Sequence, residues 1–424
     1  MRKLAYWSLL VVLLLIPFLT AAAEVDGIEV EVIIDPDAGT LTATAQLTVK
    51  PPAGAETVEV LLNRRLSLTE VGADVGLAGF EHIREGDGPY RYAAQATPVR
   101  IRLAAPASGR SFQLTMKYHG EVEPDAWGVI QLHENWVELV AAYSGWVPFD
   151  PSAAHYKASW RARLPEGWVA AGTGAPRRVD GWWSATVEGT EDLVLLAAPG
   201  LQRMAIGESL SISHADLPRG VPELIAADAG RVRDTLSRWF GPARGDGQVE
   251  IVFARREKGG GYARPGLVVM LYQGAYAKDS TAGPGFIRYL AHEISHLWWR
   301  GAQSTDWEDW LNESFAEMSA LMILRGHFGE QEFRDRLARY RKASDGTPPV
   351  RGLDRGEEVA YTVLYQKGPV LLAELEQTIG REAFLRFLRA RVEDEVNTTE
   401  ECLNTLARVV SPEARGQLAA ALLR

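Results

Sequence analysis

Two kinds of hydrophobic periodicity divide this chain. From residue 24 to about 203, apolar and polar side chains alternate in short runs: 27–34, 40–49, 57–62, 111–118 and 155–164. Alternation of period two puts one face of an extended strand in a core and the other in water. Clusters such as Asp35-Pro36-Asp37-Ala38-Gly39 between the runs supply turns. This part is expected to be an antiparallel β-sandwich or saddle. After about 204 the texture changes. Residues 222–240 have helical spacing, and 249–253 and 267–271 are short apolar strands on either side of Gly259-Gly260-Gly261. From Phe286 onward the chain is mostly helical, with 3.6-period apolar faces over 310–325, 331–342, 361–379, 381–392 and 399–410. The fold class is therefore α+β: a β domain over 24–203, then a domain over 204–424 that begins as α/β and ends in helices. The cleft is expected between the two.

Composition adds compartment and partner class. The chain has 424 residues, 46% apolar and 24% charged, which is ordinary for a globular protein of more than one domain. The net charge of −10, with no long run of like charges, argues against nucleic acid and anionic membrane as partners. Arg2 and Lys3 precede an apolar stretch over 4–19 and then Thr20-Ala21-Ala22-Ala23. That is the layout of a signal peptide over 1–23, cleaved after Ala23, and it predicts an exported protein, periplasmic or extracellular. The rival is an uncleaved anchor over 4–23, which would tie the protein to a membrane. Cys402 is the only cysteine, so no internal disulfide forms, and its helical context, Thr399-Glu400-Glu401 before it and Leu403-Asn404 after it, marks it as structural.

The candidate chemistry lies at His292-Glu293-Ile294-Ser295-His296, followed by Trp310-Leu311-Asn312-Glu313. Four helical steps of about 100° leave about 40° of offset, so the two imidazoles share a face and can share one zinc ion. Glu293 falls beside the open position of that metal, where it can act as a base, and Glu313 supplies an anionic third ligand. A His-x-x-x-His pair can also be an ordinary surface or core pair. The apolar flanks, Phe286 to Ala291 and Leu297-Trp298-Trp299, bury it, and burial of these groups calls for a partner such as a metal.

These residues resemble the gluzincin metallopeptidases related to aminopeptidase N and leukotriene hydrolase. The resemblance also rests on Ser314-Phe315-Ala316 and Tyr365-Gln366-Lys367-Gly368, and on Trp146-Val147-Pro148 in the first half. It implies a thermolysin-like catalytic domain, one zinc per chain held by His292, His296 and Glu313, Glu293 as general base, and Tyr365 as a donor to the developing oxyanion. Tyr361, on the same helix face, competes for that last role. Glu317, four residues after Glu313, is a candidate to accept a hydrogen bond from the non-ligating nitrogen of a zinc histidine.

Three departures from the family pattern matter. Sixteen residues separate His296 from Glu313, fewer than is usual, and the shortening falls in the polar stretch 300–308. The family's Gly-Ala-Met-Glu-Asn loop falls at Gly260-Gly261-Tyr262-Ala263-Arg264. Gly260 and Gly261 keep its substrate-binding position, but Ala263 replaces the Glu that holds a substrate α-amine. Glu138 is a candidate replacement. Third, the sequence stops at Arg424, after only a few helices, which implies an open cleft or coverage by another chain. The leading expectation is an exported zinc peptidase acting on peptides or oligopeptides, an aminopeptidase first. An endopeptidase or oligopeptidase of the same chemistry, and a catalytically inactive peptide-binding relative, are the alternatives.

Overall fold

The computed structural model describes residues 24–424 except 151–155, 191, 208, 246 and 277–280, and every side chain among them but that of Arg91. The expected leader over 1–23 lies outside the described residues. Among the described ones, no helix is long and apolar enough to cross a membrane.

The first half is built on a seven-stranded sheet. Its order is Arg177–Val179, Trp182–Thr190, Tyr156–Arg163, Glu24–Asp35, Thr40–Lys50, Phe112–Glu121, Ser67–Ala73. The alternation read from the sequence buries Ile28, Val30, Val32 and Ile34 on one face. All neighbours in this sheet run antiparallel except Glu24–Asp35 and Tyr156–Arg163, which are parallel, with Ile28 opposite Ala158. Period-two alternation reports which face is buried, not which strand lies alongside, so this pairing left no mark in the sequence. A three-stranded and a four-stranded sheet complete the half, the latter carrying Trp136–Val140.

The second half opens with a five-stranded sheet ordered Gln202–Ile206, Leu210–His214, Val249–Ala254, Leu267–Leu271, Tyr262–Arg264. The expected boundary between 203 and 204 falls inside its first strand. Leu210–His214, Val249–Ala254 and Leu267–Leu271 run parallel, and both faces of the sheet are covered. Val268 and Met270 pack into the helical core, while Leu267 and Val269 pack into the core of the first half together with Val252 and Tyr262. A strand buried on both faces reads as a continuous apolar run, which is why 267–271 lacks alternation. The two halves thus join through an apolar interface.

Behind the sheet lie the helices Val221–Phe240, Pro284–Ser295 and Trp310–Phe328. The last is apolar nearly all round, with Leu311, Phe315, Met318, Leu321 and Met322 all buried, and it runs through the middle of the helical layer. The segment 361–379 differs from the single helix expected. It is Ala360–Thr362, then a π-helical turn at Val363–Lys367, then Gly368–Ile379. A helix that the periodicity did not suggest, Pro412–Ala421, closes the chain, with the Ser411 hydroxyl accepting the Ala414 N–H at 3.2 Å.

Candidate active site

His292 and His296 sit at the end of Pro284–Ser295, and Glu313 in the first turn of Trp310–Phe328. Packing of these two helices brings His292 Nε2 to 3.3 Å and His296 Nε2 to 3.5 Å from Glu313 Oε2. One donor atom from each of the three lies within 4.8 Å of the others, the only such cluster among the described residues. The short connection between the helices closes cleanly. Asn312 exchanges two hydrogen bonds with the backbone of Ala302, at 3.3 and 3.1 Å, and takes Asp309 Oδ1 at 3.0 Å. Arg355 Nε holds the other oxygen of Asp309 at 2.8 Å. The helix that carries Glu313 is therefore pinned at its start.

The remaining nitrogen of each imidazole is fixed from behind. His296 Nδ1 lies 3.0 Å from the Trp299 carbonyl. A carbonyl only accepts, so Nδ1 carries the proton and Nε2 presents its lone pair in the neutral ring. His292 Nδ1 lies 2.9 Å from Glu317 Oε2. Glu317 is fully buried, yet Arg288 at 2.7 Å, His292 and the Tyr340 hydroxyl outweigh that burial and hold its carboxyl down at about 2. It is thus an acceptor at any ordinary pH, and the His292 lone pair also faces Glu313. Burial works against a charge on His292, but hydrogen bonds to Glu313 and Glu317 raise it to about 10. Two aimed imidazole lone pairs and one carboxylate oxygen are a ligand set suited to zinc.

Glu293 is buried between the helices, and burial raises it above the ordinary carboxylate range. The loop at 258–262 passes against it. A Cβ placed on Gly261 would collide with the Tyr289 hydroxyl and sit 2.6 Å from Glu293 Oε1, so any larger residue there would force one of those side chains to move. The carbonyl of Gly260 accepts from Arg256 Nη2 at 2.7 Å. Arg256 in turn pairs with Glu138, Nε to its two oxygens at 3.1 and 3.0 Å, both side chains being almost wholly out of solvent.

Glu138 is placed differently from the role expected of it. It was the candidate to meet a substrate amine. Its oxygens are instead engaged by Arg256, by Trp136 Nε1 at 2.9 Å and by the Tyr262 hydroxyl at 3.0 Å. It sits behind the glycine loop and braces it, because a buried carboxylate needs its charge matched on the spot. Ala263 lies on the short strand Tyr262–Arg264 and brings no carboxylate either.

Tyr365 lies on the π-turn, stacked on His292 with ring centroids 5.5 Å apart. Burial, then the nearby Glu313 carboxylate, raises its phenol well above the ordinary value, so it is protonated and able to donate. Tyr361 stacks on its far side at 4.6 Å and is 57% exposed. Of the two competitors, Tyr365 is thus the one next to the candidate metal-ligating cluster. Sequence reasoning missed Arg288, Tyr340 and Arg256. Arg288 had a signal, lying four residues before His292 on the same helix face. Tyr340 and Arg256 come from distant elements and had none.

Comparison with known proteins agrees with this geometry. Residues 269–413 match the peptidase family M1 domain. Over 115 residues, 23% of this chain and 18% of the relative's length, the sequence is 33% identical to leucine aminopeptidase 2 of Emericella nidulans. The fold matches the M1 zinc metallopeptidase of Deinococcus radiodurans, solved bound to a Tyr-Ser-Ala substrate, with a TM-score of 0.70 at 20% identity, over 95% of this chain and 94% of that one. It also matches leukotriene A4 hydrolase of Saccharomyces cerevisiae, with a TM-score of 0.72 at 15% identity, over 94% of this chain and 67% of that one.

Proposed function

The chain carries the domain of peptidase family M1, a family of zinc metallopeptidases, and from that premise we propose that it is an exported aminopeptidase acting on peptides or oligopeptides. The observation that carries peptide hydrolysis is the meeting of His292, His296 and Glu313 on one point, with Glu293 and Tyr365 beside it. Zinc held by those three residues would polarise the scissile carbonyl and acidify a water. Glu293 takes a proton from the attacking water at its carboxylate and delivers it to the departing amine nitrogen; its raised affinity for protons suits both halves of that shuttle. The Tyr365 hydroxyl donates to the carbonyl oxygen as negative charge develops there. The Gly260-Gly261 loop passes directly beside the base, where a bound peptide could lie along it. Export rests on the leader-like residues 1–23, and the amine preference on the likeness to a leucine aminopeptidase.

A second reading, an endopeptidase of the same chemistry, is favoured by Ala263 and by the internal pairing of Glu138, neither of which offers a free carboxylate to a substrate amine. One ionic hydrogen bond to an ammonium contributes about 1.5–3 kcal/mol, so the two readings differ by at least about tenfold in kcat/KM. Matched peptides with free and acetylated N-termini separate them. Loss of cleavage on acetylation supports the aminopeptidase; equal cleavage of both sets supports the endopeptidase.

A further inference from the structure

The π-turn that carries Tyr365 has a defect in its own hydrogen bonding. The N–H of Gly368 donates to the Val363 carbonyl, five residues back. The next residue is Pro369, which has no N–H to give. The carbonyl of Leu364 therefore loses the donor an α-helix would offer it and the donor a π-helix would offer it. Leu364 is fully buried, so water is no substitute.

The missing donor comes from another helix. Ser314 Oγ donates to the Leu364 carbonyl at 2.6 Å, and Ser314 is itself fully buried. Other buried serines of the two metal-ligand helices use their hydroxyls locally. Ser295 donates to Ala291 at 2.6 Å and Ser319 to Phe315 at 2.8 Å, each four residues back in its own helix. Ser314 reaches across instead. The approach is close enough to dictate the residue opposite: a Cβ on Gly368 would run into Ser314 Oγ and lie 2.6 Å from Ser314 Cβ.

We propose that Ser314 is a positioning residue for Tyr365. It follows the ligand Glu313 directly, and its acceptor Leu364 precedes Tyr365 directly. One hydrogen bond thus fixes the tyrosine against the metal-ligand helix. The proposal rests on Tyr365 being the oxyanion donor and adds the group that holds it in place.

The test is Ser314→Ala made in the wild-type and in the Tyr365→Phe background, with kcat, KM and zinc content measured in each. Removing one partner of a buried hydrogen bond next to a catalytic group is expected to lower kcat about tenfold, with KM and zinc content unchanged. In the Tyr365→Phe background, already slowed about 10²–10³-fold, the same change is expected to cost less than about twofold. The double variant Ser314→Gly/Gly368→Ala restores a methyl group to the contact without a donor, and it is expected to stay as slow as Ser314→Ala. Hydrogen exchange should rise in the peptide over 360–368 and stay unchanged over the middle of Trp310–Phe328. An undiminished kcat in Ser314→Ala, an equal loss in both backgrounds, or full recovery in the double variant overturns the role of Ser314. A fully active Tyr365→Phe overturns the tyrosine assignment and this inference with it, whereas a damaged Tyr365→Phe beside an undamaged Ser314→Ala overturns this inference alone.

Discussion

Replacing Gly261 with alanine probes how tightly the substrate loop and the base are fitted. The added methyl would stand 2.6 Å from Glu293 Oε1 and would overlap the Tyr289 hydroxyl. Ordinary van der Waals separation is about 3.5 Å, so about 1 Å of movement is required. The loop has little room to retreat, since the carbonyl of Gly260 is held by Arg256 at 2.7 Å and Arg256 is clamped by buried Glu138. Tyr289 is mostly buried as well. The softest element is the Glu293 carboxylate, which has no hydrogen-bond partner among the described residues and turns at its terminal torsions. A misplacement of about 1 Å at a catalytic group costs about 10²-fold in rate. Gly261→Ala should therefore lose about two orders of magnitude in kcat/KM on a chromogenic peptide. It should keep its zinc, because the atoms the methyl would meet belong to Tyr289 and Glu293 and not to His292, His296 or Glu313, and its Tm should fall by only a few degrees. A variant with wild-type turnover would show that the loop moves freely and that its contact with Glu293 has no bearing on catalysis. Loss of zinc would show that the loop supports the metal site after all.

Three further outcomes follow from the same site. Glu293→Gln, nearly isosteric but unable to take the proton, should retain zinc and lose at least about 10² in kcat; near-normal turnover removes Glu293 from the role of base. His296→Ala should bring the zinc content of the purified protein close to zero, as read by metal analysis; retention equal to wild type defeats the ligand assignment. Glu317→Gln cancels the charge behind His292 while leaving the ligands in place, and should weaken zinc binding by about 10–100-fold in a chelator competition; unchanged affinity would leave Glu317 as a brace between helices only.

What the sequence made legible was whatever is encoded within one turn or one strand. His292, Glu293 and His296 share a helix face by spacing alone, and 3.6-period runs located most of the helices. Five strands of the first half were legible from alternation; others, such as Trp136–Val140 and Val194–Pro199, are buried on both faces and carry no such signal. Legibility failed where an element takes its character from a distant partner. The parallel pairing of Glu24–Asp35 with Tyr156–Arg163 depends on a chain segment more than a hundred residues away. The interruption of 361–379 depends on Ser314 and Gly368 meeting across helices, although Gly368-Pro369 in a helical pattern was a local hint. Glu138 shows the same limit from the other side. On its strand it reads as one more polar position, and only the fold supplies Arg256, Trp136 and Tyr262 to receive it.

That clamp also explains why the first half matters to the chemistry of the second. Glu138 belongs to the strand Trp136–Val140 of the first half; Arg256 and the Gly260-Gly261 loop belong to the second. The ion pair between them is buried, and a buried pair is costly to form and more costly to break on one side. Its worth therefore lies less in net stability than in geometry: the loop has one position in which both charges are matched. Leu267 and Val269, packed into the core of the first half, hold the neighbouring strand to the same frame. The distance between Gly261 and Glu293 is thus set by contacts that cross from one half to the other. Glu293 on its helix and Gly261 on its loop keep their register because the loop and the strand beside it are packed into the β-rich half.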